Sequence, residues 1–363
     1  MRVVIAGGGT AGHVNPALAL GRALGDAEVT FVGTSGGAEA VLVPAAGFPL
    51  EVIQVRGFDR ARPWKLVGVG ATAVRATRSA SLLLDRLRPA VVVGMGGYVS
   101  LPVCVAARRK RIPVVLHEQN IVFGLANRVC KSWAAKVAVS FEETMSQAGS
   151  KGVNTGNPVS AELVAMDVDT ERVKALQRFE LEPGRKTLLV FGGSQGARTI
   201  NEVVPALVAA WRGASDRQVL HISGRSQRSL VEQIESLPME GLIYRGIEFV
   251  ERMTEAYAVA DLALCRGGAT TVAELAAVGL PALIVPYPHH RDKQQERHGL
   301  ALERKGAAVV IPDDQVNAER VSGIVDKLFG AESALEKMRA AARAFGRPDA
   351  ATRLAEVVLE VAA

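Results

Sequence analysis

Residues 3–13 read VVIAGGGTAGH and residues 188–198 read LLVFGGSQGAR. Each is a short apolar run that stops at a cluster of glycines and leads into a helical pattern. An apolar run without polar alternation suits a parallel strand covered on both faces. Glycines at its end allow a tight turn, and they let backbone N–H groups approach an anion where the next helix starts. The same unit in both halves predicts a tandem pair of similar α/β domains.

The rest of the chain extends this pattern. Strands are expected over residues 2–6, 29–33, 50–55, 90–94, 114–117 and 136–139, then over 187–191, 218–222, 242–245, 262–265, 282–285 and 308–311. Helical patterns lie between them, among them 16–24, 199–211, 226–236 and 271–278. Strand alternating with helix is the signature of an open α/β sheet. A chain of 363 residues predicts two domains. The join falls at GNPVS (156–160), where Asn157 and Pro158 favour a turn. That gives domains 1–158 and 159–363. The last segment, 331–363, reads as helix broken near 346–348, and its terminal helix is a candidate to pack back on the first domain.

Composition narrows the function classes. Hydrophobic residues make up 48% and aromatics only 5%, so the core is built from Ala, Val and Leu. Three distant cysteines without a CxxC exclude a disulfide framework and a zinc site, and fit a reducing compartment. Residues 89–107 carry no charge, but Gly94, Gly96, Gly97 and Pro102 fit strand, turn and helix better than a membrane span. Residues 1–160 hold 18 basic and 9 acidic residues, whereas 161–363 hold 25 and 28. An anionic ligand or surface is therefore expected at the first half. No nucleic-acid motif is visible.

Chemistry-bearing residues cluster at predicted strand ends. Gly7, Gly9 and Gly12 match the loose pattern GxGxxG, a weak signal alone. His13 follows directly, and an imidazole can take a proton from a hydroxyl near neutral pH. A histidine that merely caps or packs at the helix start is the competing reading. A second loop spans residues 94–100, and His117-Glu118-Gln119-Asn120 ends another strand, where α/β sheets bind ligands. Ordinary turn chemistry competes for Glu118 and Gln119. In the second half, the loop 192–197 adds the Ser194 hydroxyl, and 266–271 leads to Glu274, whose carboxylate can accept from ribose hydroxyls. Gln294 and Gln295 suit sugar hydroxyls. No GxxxxGK[ST] or HExxH occurs, and Asp167-Val168-Asp169 reads as a solvated turn.

Together these stretches resemble the MurG family, the UDP-N-acetylglucosamine:lipid I glycosyltransferases of peptidoglycan synthesis. The matching segments are AGGGTAGHVNPALAL (6–20), GMGGYVSLP (94–102), IPVVLHEQN (112–120), GLANRV (124–129), FGGSQGAR (191–198), YAVADLALCRGGATTVAELAAVGLPALIVP (257–286) and DKQQ (292–295). They run the length of the chain in family order.

The resemblance implies a GT-B fold, two Rossmann-like domains facing across a cleft. It places UDP-GlcNAc mainly on the second domain. Val250 would lie near the uracil and Glu274 would hold the ribose. Ser194, Ala269, Thr270 and Thr271 would hold the diphosphate, and Gln294 and Gln295 the sugar. Thr10, Ala11, Gly12, Asn120 and Ser160 would complete the donor site. Lipid I would lie against Gly9, Gly96, Gly97, Tyr98 and Asn120, with His13 as general base. The implied reaction is inverting transfer to a C4 hydroxyl, with no cofactor or metal required. The implied location is the cytoplasmic face of the bacterial cell membrane, held peripherally. Basic and apolar residues at 56–67, Arg75, Arg78, Arg86, Arg88, Leu82–Leu84 and 108–111 would meet anionic lipid. Cell-wall synthesis or division proteins are further candidate partners. Ser160, Thr270, His298 and Leu101 depart from residues usual in the family (Arg, Leu, Asn and Gly). Other readings are a GT-B transferase with a different acceptor, a UDP-GlcNAc 2-epimerase, an NAD-dependent oxidoreductase and a binding module.

Overall fold

The computed structural model describes residues 1–55, 66–193 and 195–363, side chains of 66–71 excepted. Ser194 and the basic stretch 56–65 lie outside the described residues. Two compact units divide the chain, one of residues 1–160 with 347–363 and one of residues 161–346.

The first unit holds seven parallel strands: β1 Arg2–Ala6, β2 Glu28–Gly33, β3 Leu50–Val52, β4 Val91–Gly94, β5 Val114–Glu118, β6 Lys136–Val139 and β7 Gly152–Asn154. Their order is β3-β2-β1-β4-β5-β6-β7. Alternate residues feed opposite faces, as strand geometry requires. Val3, Ile5, Val91 and Val93 pack with Leu20 and with Leu354 and Val358 of the last helix. Val4, Ala6 and Val92 pack with Leu84, Val103 and Cys104. Each such side chain taken out of water contributes about 1.5–3 kcal/mol. The helix Ala350–Ala362 thus belongs to the first unit, against the helix Ala11–Ala23.

The second unit holds six parallel strands: β8 Lys186–Phe191, β9 Arg217–Ile222, β10 Ile243–Ile247, β11 Leu262–Cys265, β12 Ala282–Ile284 and β13 Ala308–Val310. Their order is β10-β9-β8-β11-β12-β13. In each unit the strand order reverses once, between β1 and β4 and between β8 and β11. Such a switch point opens a crevice at the carboxyl ends of the strands.

Three local expectations change. The first helix begins at Ala11, not at residue 16, so His13 lies in its first turn. The helix Gly97–Arg109 absorbs Gly97, Tyr98 and Ser100, expected in a loop. Asp167-Val168-Asp169 is exposed as expected, but Asp167 caps a helix: its carboxylate accepts from the Asp169 N–H at 3.2 Å and the Thr170 hydroxyl at 2.7 Å.

Candidate active site

In the first unit, register places the strand ends side by side, with Ala6 beside Gly94 and Gly94 beside Leu116. The loops leaving β1, β4 and β5 therefore start together. Glycine is required where they touch. At Gly97, φ is +74° and a Cβ would lie 2.6 Å from the Gly8 carbonyl oxygen. Tyr98 lies against Gly9, whose added Cβ would sit 3.2 Å from the Tyr98 ring.

His13 sits over this floor. A Cβ on Gly96 would lie 3.1 Å from its Cδ2 and 3.3 Å from its Nε2. Its Nδ1 is 3.1 Å from the Thr10 hydroxyl. With Nδ1 protonated and donating to Thr10, Nε2 is left as an unprotonated acceptor. Burial holds the imidazole below its usual pKa, and the Glu39 carboxylate opposes that shift. His13 is therefore neutral at physiological pH and able to take a proton.

The β5 end is organised by Glu118. Its carboxylate accepts from the Asn120 N–H and amide, the Gly124 N–H and the Asn127 amide at 2.9–3.1 Å. Burial raises its pKa against those bonds. Gln119 donates to the Met95 carbonyl at 2.9 Å. Turn chemistry is thus what both residues do: Glu118 holds Asn120, and Gln119 ties the end of β5 to the second glycine loop. His117 is pushed down to about 4 by burial and binds the Gly156 carbonyl through Nε2.

One amide expected to meet an anion is already occupied. The Gly9 N–H donates to Glu39 at 2.8 Å. A pyrophosphate lying on Gly9 would meet a carboxylate and lose that donor, which counts against the dinucleotide-cofactor reading of GxGxxG and equally against a lipid I pyrophosphate at Gly9.

The second unit repeats the arrangement with a different lining. Phe191 pairs with Cys265 and Cys265 with Ile284, so the loops after β8, β11 and β12 start together. Gly196 has φ +75°, and a Cβ there would lie 2.2 Å from the Ser223 carbonyl oxygen. Behind that loop, Asn201 donates to the Ser223 carbonyl and accepts from His221, which accepts from the Tyr244 hydroxyl. Ala269, Thr270 and Thr271 open the helix Ala269–Val278 and present its N-terminal N–H groups, a site for phosphate.

Glu274 lies in that helix, and Tyr257 donates to its Oε2 at 2.8 Å. Burial raises the Glu274 pKa to about 7, the Tyr257 bond opposing. A pKa raised on folding means stability that is full below the unfolded value and falls as pH rises through 7. Glu274→Gln is expected to melt about 2–4 °C above the parent at pH 8. The gain should vanish near pH 4.5, and a pH-independent difference would remove the effect.

Gln294 donates to Asp292 at 3.0 Å, and its buried Oε1 has no hydrogen bond among the described residues. Gln295 accepts from the Tyr287 N–H at 2.9 Å. His298, where the family usually has Asn, binds the Gly267 carbonyl at 2.9 Å and so anchors the turn before the helix. Val250 is buried just past β10. Arg266 was missed by sequence reasoning. It donates to the Val285 and Pro286 carbonyls and pairs with Asp313. Tyr257 and Glu39 were missed too, because Glu274 and Gly9, which give them their meaning, lie 17 and 30 residues away. Thr10, Ala11, Gly12, Asn120 and Ser160, assigned to the donor, all lie in the first unit.

The expected lipid-facing segment is partly described. Val74 and Leu82 are exposed on the helix Leu66–Leu87, at 69% and 66%, near Arg75, Arg78 and Arg86. Leu83 and Leu84 are buried in the core and belong to no surface. Arg108 stacks 4.5 Å over Trp133 on the adjoining helix end. No helix among the described residues is long and apolar enough to cross a membrane.

Two parallel α/β domains, each with glycine loops at a switch point, are the architecture of the GT-B fold. The chain belongs to glycosyltransferase family 28: the family's N-terminal domain matches residues 3–139 and its C-terminal domain residues 187–354. A relative from Nocardioides sp. is 42% identical over 99% of this chain and 98% of its own. One from Moorella thermoacetica is 39% identical over 99% of both. Both are named UDP-N-acetylglucosamine–N-acetylmuramyl-(pentapeptide) pyrophosphoryl-undecaprenol N-acetylglucosamine transferase. The crystal structure of Acinetobacter baumannii MurG superposes with a TM-score of 0.78 at 29% identity, covering 99% of each chain.

Proposed function

We propose that this chain moves GlcNAc from UDP-GlcNAc to the C4 hydroxyl of the N-acetylmuramyl group of lipid I, with inversion, giving lipid II. The observation that carries the reading is His13 in the first turn of the helix Ala11–Ala23, against the Gly96 loop with its Nδ1 on the Thr10 hydroxyl, on a family 28 chain matched along its whole length. Nε2 takes the hydroxyl proton as the oxygen attacks the anomeric carbon from the face opposite the nucleotide. The bond from that carbon to the β-phosphate oxygen breaks, and its electrons leave with UDP.

The second domain would hold the donor. N–H groups at the start of Ala269–Val278 meet the diphosphate, and the helix dipole stabilises the charge that grows on UDP. Glu274 accepts from the ribose, and Gln294 Oε1, without a hydrogen bond among the described residues, accepts from a sugar hydroxyl. No metal or cofactor is required by this reading. Gly96, Gly97, Tyr98 and Asn120 of the first domain would line the acceptor side.

Lipid I carries a polyprenyl chain, so the enzyme must meet it at a bilayer. Val74, Leu82, Arg75, Arg78 and the basic run 108–111 support peripheral docking to anionic lipid on the cytoplasmic face. Co-sedimentation with vesicles should therefore rise with anionic lipid content and fall with salt.

The deciding experiment incubates labelled UDP-GlcNAc with and without a lipid I analogue. UDP release that requires the analogue supports the transferase. Turnover of UDP-GlcNAc alone, giving its C2 epimer, would make the chain an isomerase.

A further inference from the structure

The Glu39 carboxylate is 1% exposed and has no cation partner among the described residues. It is enclosed by glycines: a Cβ at Gly8, Gly33 or Gly37 would lie within 2.1–2.4 Å of its side chain. Its Oε2 accepts from the Gly9 N–H, and its Oε1 accepts from the Thr34 N–H and hydroxyl at 2.8–2.9 Å. Burial acts to raise its pKa, but these bonds win and hold it below the usual carboxylate range. A buried, unpaired negative charge is costly unless it is well hydrogen-bonded. Here three donors and three missing side chains are arranged around one.

We infer that Glu39 is a positioning residue for the reaction: it acts as an internal anion that occupies the first glycine loop from behind and fixes the start of the His13 helix. The loop's amide is spent inward on Glu39, so the loop is a rigid mount for the imidazole. Gly9 is followed by Thr10, whose hydroxyl meets His13 Nδ1, so the carboxylate and the base are joined through consecutive residues. The charge itself also reaches His13. Among the described residues, His117 from β5, which burial pushes down to about 4, interacts with the imidazole as well, and Tyr98 of the helix Gly97–Arg109 lies against Gly9 in the same loop. Among the described residues, Glu39 is the carboxylate whose charge acts on the His13 proton.

This inference rests on His13 being the base of the proposed transfer, and its test separates the two. In the full-length protein with ¹³C-labelled histidine, the His13 signal is assigned by its loss in His13→Ala and titrated by NMR. Glu39→Gln should displace that titration to lower pH and reduce kcat about tenfold to 100-fold, as small misplacements of a catalytic group do. UDP affinity should stay parental. Glu39→Asp keeps the charge but cannot reach Gly9. It should lose kcat with the His13 titration much less displaced, and it is the variant to read if the glutamine form does not fold. An unmoved His13 titration in Glu39→Gln, or parental kcat in Glu39→Asp, would overturn the role of Glu39. A parent without acceptor-dependent transfer would instead overturn the proposed reaction, and the NMR titration would still decide whether Glu39 acts on His13.

Discussion

His13→Ala is expected to lower transfer to a lipid I analogue by about 10²–10⁴-fold while leaving UDP affinity unchanged. The loss should fall on kcat, because the imidazole acts on the acceptor proton as the bond forms and contributes little to holding the donor. The parent's rate should rise with pH and level off below the usual histidine range. Burial depresses the His13 pKa, and the base is active only when unprotonated. His13→Gln keeps a polar group over Gly96 and cannot accept the proton, so it should be as impaired as the alanine variant. A glutamine variant close to the parent would make His13 a packing residue.

Glu274→Ala should act on the other substrate. A carboxylate accepting from two ribose hydroxyls makes charge-assisted bonds, each worth about 1.5–3 kcal/mol. A loss of about 100-fold in kcat/KM for UDP-GlcNAc follows, mostly through KM. The partner is identified by using 2′-deoxy-UDP-GlcNAc. If Glu274 meets that hydroxyl, the two losses will not add. Protonation should mimic the mutation, since burial pushes the Glu274 carboxyl up to about 7. The parent's KM for UDP-GlcNAc should therefore be higher at pH 6 than at pH 8. Additive losses, or a KM indifferent to pH, would move Glu274 away from the ribose.

The sheets could be read from the sequence because their strands are continuous apolar runs, and those runs are what the two helical layers cover. The edges were harder. β7 is three residues containing Gly152 and Asn154, with no apolar pattern to announce it. β3 ends at Val52 because an edge strand needs only a short pairing. The helical pattern of the first helix is legible only over 16–24. The helix itself starts at Ala11, so that its N-terminus stands at the switch point.

At the site, the glycines, His13 and Glu274 were visible because each lies beside a strand end in its own loop. Glu39, Arg266 and Tyr257 were not, since their meaning lies in partners far along the chain. Glu39 did leave a trace: it is an acid placed after Gly36-Gly37, just beyond the end of β2. In a dinucleotide-binding fold an acid near there would turn outward to a ribose. Here it turns inward to Gly9.

The central claim is a division of labour, with the nucleotide on the second domain and the base on the first. A crystal structure with UDP bound tests it most directly. The diphosphate should lie at the start of the helix Ala269–Val278 with the ribose on Glu274. The first glycine loop should be empty and its Gly9 amide still bonded to Glu39. UDP found on residues 7–13 of the first domain would contradict it.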